Sequence, residues 1–115
     1  MNHNVTLGNF GENLAAEYLI NNKYKIIERN HRTPYGEIDI VAAYKNIVIF
    51  VEVKTRTSDR FGTGVNAITN KKLRTMIKCA EYYIHANRIY SPVRIDVISI
   101  DLSSEQKITH IKGVI

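Results

Sequence analysis

The stretch Ile47-Val48-Ile49-Phe50-Val51-Glu52-Val53-Lys54-Thr55 constrains the fold more than any other. It begins as an unbroken apolar run rich in β-branched residues, which reads as a buried strand around which the chain must be arranged. Glu52 and Lys54 then enter two residues apart, and alternation along a strand puts both on one face. A carboxylate and an ammonium seldom enter a buried sheet without a partner or a function. From Glu-x-Lys alone, a cross-strand ion pair and a catalytic site both remain open.

The preceding segment, Glu37 to Tyr44, reads as a second strand. Alternation sets Ile38, Ile40 and Ala42 on one face and Glu37, Asp39 and Val41 on the other. If Lys45-Asn46 forms the turn, Tyr44 pairs with Ile47. Counting outward in that register places Asp39 opposite Glu52, with Cβ atoms about 5 Å apart. A slip of one residue would send the two carboxylates to opposite faces. Two charges at about 5 Å repel by roughly 3 kcal/mol at an effective dielectric near 20. A proton on one carboxylate, the Lys54 ammonium or a divalent cation would relieve this. Mg²⁺ and Mn²⁺ prefer oxygen ligands and commonly take one or two carboxylates, with water and substrate phosphate completing the shell. The Val53 carbonyl offers a further oxygen. Lys54 would then stand beside the attacking water, to orient it or to stabilise developing charge. With a metal neutralising the phosphate, that is the chemistry of phosphodiester hydrolysis.

The flanking segments supply the rest of a domain. Leu7 to Asn22 reads as a helix with Leu7, Phe10, Leu14, Ala15, Tyr18 and Leu19 on one face. Glu12 sits on the shoulder of that face, either as a solvated first-turn residue or at the edge of a site. Tyr24 to Arg29 reads as a short strand. The basic stretch Asn30 to Gly36, with His31 and Arg32, reads as a turn punctuated by Pro34 and Gly36. Thr55 to Asn66 reads as a loop beside the strand end, carrying Arg56, Arg60, Gly62 and Gly64. Thr69 is a candidate N-cap for a helix to Ala86. Its apolar stripe is Leu73, Met76, Ile77, Ala80 and Ile84, and Lys71, Arg74 and Lys78 form a basic stripe opposite. Tyr82-Tyr83 straddles the boundary. After a connector, Asn87 to Pro92, come a strand from Val93 to Ile100 and a weaker one from Lys107 to Val114, joined through Ser103-Ser104-Glu105-Gln106. The order is α-β-β-β-α-β-β, an α/β arrangement with a mixed sheet flanked by helices.

Composition narrows the function classes. The chain has 115 residues, which makes one domain, residues 1–115. Hydrophobic residues at 44% and charged residues at 23% argue for a packed core and against disorder. A formal charge of +5 is compatible with a polyanionic partner. Cys79 is the only cysteine, which excludes an intrachain disulfide or a cysteine metal cluster. His3, His31, His85 and His110 have no metal-ligand spacing. With no signal sequence visible and no apolar run near the roughly 20 residues of a membrane helix, the expectation is a soluble cytoplasmic protein without a membrane partner.

Five groups of residues resemble one family in order along the chain. They are Gly8-x-x-Gly11-Glu12 with Ala15 and Tyr18-Leu19, then Arg29-Asn30-x-Arg32, Gly36-Glu37-Ile38-Asp39, Phe50-Val51-Glu52-Val53-Lys54-Thr55-Arg56 and Arg94-x-Asp96. Together they resemble the YraN family of bacterial predicted endonucleases. That family is similar at a distance to archaeal Holliday junction resolvases and other nucleases of the PD-(D/E)xK superfamily. Ile38 stands where the superfamily often has proline. The resemblance implies a restriction-endonuclease-like fold, with Asp39 and Glu52 as ligands for Mg²⁺ or Mn²⁺ and Lys54 as the catalytic lysine. It also implies that Glu12 completes the site from the helix. A homodimer is compatible with it, though no feature of the sequence requires one. The leading expectation is a metal-dependent endonuclease on structured or branched DNA, with Arg29, Arg32, Arg56, Lys71 and Arg74 steering phosphates. The alternatives are a non-catalytic nucleic-acid-binding module of the same fold and a protein-interaction adaptor.

Overall fold

The Lys45-Asn46 turn sets the centre of the sheet. Lys45 takes φ 54°, and the strands it joins pair from Tyr44↔Ile47 to Ile40↔Val51, in the register expected from the turn. The computed structural model describes residues 7–57, 68–103 and 105–115, except for the side chains of residues 7 and 8. The elements are α1 (Leu7–Asn21), β1 (Lys25–Thr33), β2 (Gly36–Tyr44), β3 (Ile47–Arg56), α2 (Asn70–Ala86), β4 (Val93–Asp101) and β5 (Lys107–Ile111). Arg60, Gly62 and Gly64 of the expected loop, Ser104 of the expected hairpin, and the Leu7 and Gly8 side chains lie outside what is described.

The sheet order is β1-β2-β3-β4-β5. β3 and β4 are parallel and the other neighbours are antiparallel, because α2 carries the chain back between β3 and β4. Ala15 and Leu19 of α1 pack on Ile40, Ala42, Ile49, Val51, Ile98 and Ile100. Cys79, Ala80 and Tyr83 of α2 pack on Ile38, Val41 and Phe50. Each face of the sheet is thus covered by one helix, consistent with the restriction-endonuclease-like class.

Several expectations are corrected. β1 continues through Asn30-His31-Arg32-Thr33, and only Pro34 and Tyr35 turn. Thr33 Oγ1 closes that turn, donating to the Gly36 carbonyl at 2.8 Å and accepting the Tyr35 amide at 3.1 Å. Ile38 does not share a face with Ile40 and Ala42. It packs with Val41 beneath α2, while Ile40 and Ala42 lie beneath α1. The neighbouring strand is irregular at the facing position. Asn30 adopts φ 54° inside β1, a left-handed conformation that asparagine tolerates better than most residues. Across it the side-chain alternation inverts, so Arg29 and Asn30 both reach α1, while Glu28 bonds His31 at 2.8 Å and His31 packs on Tyr83 of α2.

Each helix buries part of its predicted face together with residues outside it. In α1, Ala15 and Leu19 are buried and Leu14 and Tyr18 pack beside them as expected, but Phe10 is 39% exposed and Glu12 and Ala16 are buried as well. In α2 the buried stripe is Met76, Cys79, Ala80 and Tyr83. Leu73, Ile77 and Ile84 are half-buried, while Lys71, Arg74 and Lys78 are exposed as expected. Thr69 is the N-cap, its hydroxyl accepting the Lys72 amide at 3.0 Å.

Beneath α1 a buried polar network ties β5 and the C-terminal segment to the sheet. Asp96 is fully buried. It accepts from Arg94 Nε and Nη2, both at 2.8 Å, and from the Gly113 amide at 3.0 Å, and pairs with His110 Nε2 at 2.7 Å. Arg94 also donates to the Tyr24 hydroxyl, and the Tyr18 hydroxyl meets His110 Nδ1 at 3.1 Å. With its lone pairs satisfied, Asp96 has a pKa held down at about 2 by the His110 and Arg94 bonds, despite the opposing effect of burial. This accounts for Arg94-x-Asp96 as a structural element.

Candidate active site

The β2–β3 hairpin opens where its ladder ends. One step beyond Ile40↔Val51, the register would set Asp39 opposite Glu52, but no ladder pair forms there. Asp39 Oδ2 instead accepts the Val53 amide at 2.8 Å. A strand residue that donates on one edge presents its carbonyl on the same edge, so the Val53 oxygen also opens toward the split beside Asp39.

Lys72 relieves the charge of the carboxylate pair only in part. Asp39 has its pKa pushed up to about 7, first by burial and next by the Glu52 charge. The Val53 amide works against this, Glu12 adds to it and Lys72 lowers it. Glu52 is only 8% exposed. It projects toward α2, where Lys72 Nζ lies 3.4 Å from its Oε2. Lys54 follows two residues later on the same face. It is half-buried and makes no hydrogen bond or ion pair with the described residues.

Glu12 approaches from the opposite face. It is 6% exposed, which overturns the reading of a solvated first-turn residue. Its Oε1 accepts from Arg29 Nε at 3.0 Å and from Asn30 Nδ2 at 2.9 Å. Arg29 Nη2 also donates to Asn13 Oδ1 at 2.6 Å. The left-handed turn at Asn30 makes this possible, because it aims two successive β1 side chains at the same helix. Gly11 brings α1 close. A Cβ there would overlap Thr55 Oγ1 and stand 3.0 Å from Thr55 Cβ and 3.1 Å from its Cγ2.

Asp39 therefore feels carboxylates from both faces, but the three do not form one cage. Among the described residues, no three His, Cys, Asp or Glu side chains converge as cation ligands. Asp39, Glu52 and the Val53 carbonyl would supply a two-carboxylate donor set of the kind that Mg²⁺ or Mn²⁺ takes. Burial and the Glu52 charge raise the pKa of Asp39, and a bound cation would offset both. On this observation the residues fit a divalent cation.

The basic residues separate into groups. Arg29 is committed to Glu12 and Asn13. Arg32 is exposed, with Nη2 3.6 Å from Glu37. Arg56 ends β3 opposite Asp101. Lys71 and Arg74 lie on the exposed face of α2. Sequence reasoning missed Lys72 and Asn30. Lys72 lies one turn before Met76, so it extends the buried stripe of α2. A lysine on that stripe, aimed at a strand that carries a glutamate, was the available signal, hidden by centring the stripe on Leu73 and Ile77. Only its place in Arg29-Asn30-x-Arg32 marks Asn30.

The model of the family described as "Uncharacterised protein family UPF0102" matches residues 11–100. A UPF0102 protein of Thermodesulfovibrio yellowstonii is 44% identical over 109 residues, covering 95% of both chains. One from Geobacter metallireducens is 46% identical over 111 residues, covering 95% of this chain and 91% of the relative. One from Clostridioides difficile is 42% identical over 110 residues, covering 95% and 96%. With matches of this extent running through α1, the opened hairpin and α2, the chain belongs to the UPF0102, or YraN, family.

Proposed function

We propose that this UPF0102 protein is a divalent-cation-dependent endonuclease that hydrolyses phosphodiester bonds in structured or branched DNA in the cytoplasm. The observation that carries the reading is the Asp39–Glu52 pair at the opened strand end, with Asp39 pushed up to about 7 by burial and by the Glu52 charge. Asp39, Glu52 and the Val53 carbonyl would hold Mg²⁺ or Mn²⁺. When bound, such an ion neutralises the scissile phosphate and makes water a better nucleophile. Lys54 orients the attacking water and counters charge that develops on the phosphate. Glu12 acts through position, fixing Arg29 and Asn30 and adding its field at Asp39. Exposed Arg32, Lys71 and Arg74 steer the backbone.

A non-catalytic nucleic-acid-binding module is the second reading, and the Lys72–Glu52 contact favours it, because it gives Glu52 a resident counter-ion. One assay separates the two. Purified protein is incubated with duplex, single-stranded, flap and four-way-junction DNA, with Mg²⁺ or Mn²⁺. Cleavage by the wild type that disappears in Glu52→Ala and Lys54→Ala supports the nuclease. Cleavage that survives in both variants sinks the assignment. Salt-sensitive binding without cleavage under either metal favours the module.

A further inference from the structure

At the far end of α2 from Lys72, two tyrosines meet at the surface. Tyr35, in the β1–β2 turn, contacts Tyr82 edge-on with ring centroids 6.3 Å apart. Lys78 Nζ lies 5.9 Å from the Tyr35 ring centre. Tyr35 is 54% exposed and Tyr82 41%, and the two share an open cleft of about 420 Å³ with Lys78 and Glu81. The fold anchors the backbone that carries both rings. Thr33 closes the turn below Tyr35. Gly36 takes φ +147°, and a Cβ there would stand 3.3 Å from Thr75 Cγ2, so the turn is seated on α2. Tyr82 belongs to α2 itself.

A pair of half-open aromatic rings with a cation beside it matches the chemistry of an unpaired nucleotide, whose base stacks and whose phosphate is anionic. A duplex conceals its base faces within its own stack and offers nothing to such rings. Charge agrees with this occupant. Lys71, Arg74 and Lys78 lie on one exposed helix face, and Arg32 flanks the turn. Glu81 and the Arg32-paired Glu37 are the acidic residues among them. At about 1.5 Å per residue, Lys72 and Tyr82 are about 15 Å apart along α2, so the basic face leads from the tyrosines toward Glu52.

We propose that Tyr35, Tyr82 and Lys78 form a stacking platform for unpaired nucleotides, and that α2 guides the strand held there toward the Asp39–Glu52 pair. The guiding role rests on the nuclease reading above; the platform does not. It makes the preferred substrate one with a single-stranded part.

Binding in EDTA isolates the platform from any chemistry. Labelled single-stranded DNA and a duplex of the same sequence are titrated by fluorescence anisotropy, with folding of each variant checked by thermal melting. Tyr35→Ala and Tyr82→Ala are expected to weaken single-strand binding by about 5- to 100-fold, the range of losing one stacked base. Tyr35→Phe and Tyr82→Phe should retain it, and duplex binding should change less than about two-fold. If an alanine variant fails to fold, Tyr→Leu, which keeps bulk but not the ring, takes its place. Unchanged single-strand affinity overturns the platform, as does equal loss on single strand and duplex, or a wild type that binds no nucleic acid. Platform-dependent binding with no cleavage under Mg²⁺ or Mn²⁺ leaves the platform and removes the nuclease. Glu52-dependent cleavage with wild-type binding in both tyrosine variants does the reverse.

Discussion

Asp39 and Val53 are joined by a side-chain-to-backbone hydrogen bond of 2.8 Å where a strand ladder would otherwise run. A carboxylate therefore occupies the wedge between β2 and β3. The bond secures Asp39 while burial and Glu52 penalise its charge.

Asp39→Asn keeps an acceptor for the Val53 amide and removes the charge. With its folded pKa raised to about 7, Asp39 holds a proton in the folded chain that the unfolded chain releases above about pH 4. The folded state then binds more protons, so its stability falls as pH rises from about 4 through 7. The variant should flatten that slope. It should gain on the order of 1–3 kcal/mol at pH 8, an amount reduced because Asp39 is only half-buried. Denaturant unfolding at several pH values without divalent cations checks this, and a variant less stable than wild type at pH 8 contradicts it.

Lys72→Met removes the ammonium 3.4 Å from Glu52. A cation entering beside Asp39 and Glu52 no longer meets that resident charge, so Mn²⁺ should bind more tightly, by about 3- to 30-fold. Without metal the variant should be less stable at pH 8. Calorimetric titration with Mn²⁺ reads the first effect; weaker binding would mean that Lys72 supports the cation site rather than competing with it.

Gly11→Ala tests how closely α1 must approach β3. Alanine gains about 1 kcal/mol of helix propensity, but its Cβ collides with Thr55, and overpacking costs roughly 1–3 kcal/mol. Net destabilisation is expected, smaller when Thr55→Ala is present in the same chain. A double-mutant cycle measures the coupling, and strictly additive effects would argue against the contact.

Asp96→Ala should destabilise the fold by about 3–5 kcal/mol, because Arg94 and His110 lose the buried charge they surround. In the wild type the folded pKa of about 2 lies below the unfolded value. That stabilisation is complete above about pH 4 and is lost as pH falls toward 2. Acid unfolding curves of wild type and variant should converge across that interval.

The centre of the fold was legible because its determinants are local. Lys45-Asn46 and the apolar run fixed the hairpin register, and Thr69 marked the start of α2. The faces of individual residues were less legible where a distant residue decides them. Simple alternation puts Ile38 with Ile40, and it fails where β2 passes the left-handed Asn30 of another strand. Glu12 is buried and Phe10 exposed because Arg29 and Asn30 wait across from the carboxylate, an arrangement that helical periodicity does not contain. Lys72 belongs to the site only because α2 turns a different stripe inward from the one its largest apolar residues suggest.

The parallel pairing of β3 with β4 has a consequence for the order of assembly. Residues such as Val48 and Val93 meet across 45 positions of sequence, whereas Tyr44 and Ile47 meet around a tight turn. Hairpins close within about 1–10 μs, and long-range parallel contacts form later because the larger loop must close first. Asp39 and Glu52 are thus brought together early, and Lys72 arrives only when the crossover helix docks. The chain is expected to fold through a stage in which two like charges meet without their counter-charge. Stopped-flow refolding should be slower at pH 8 than at pH 5 in wild type, and less so in Asp39→Asn; equal pH dependence in both would refute that sequence of events.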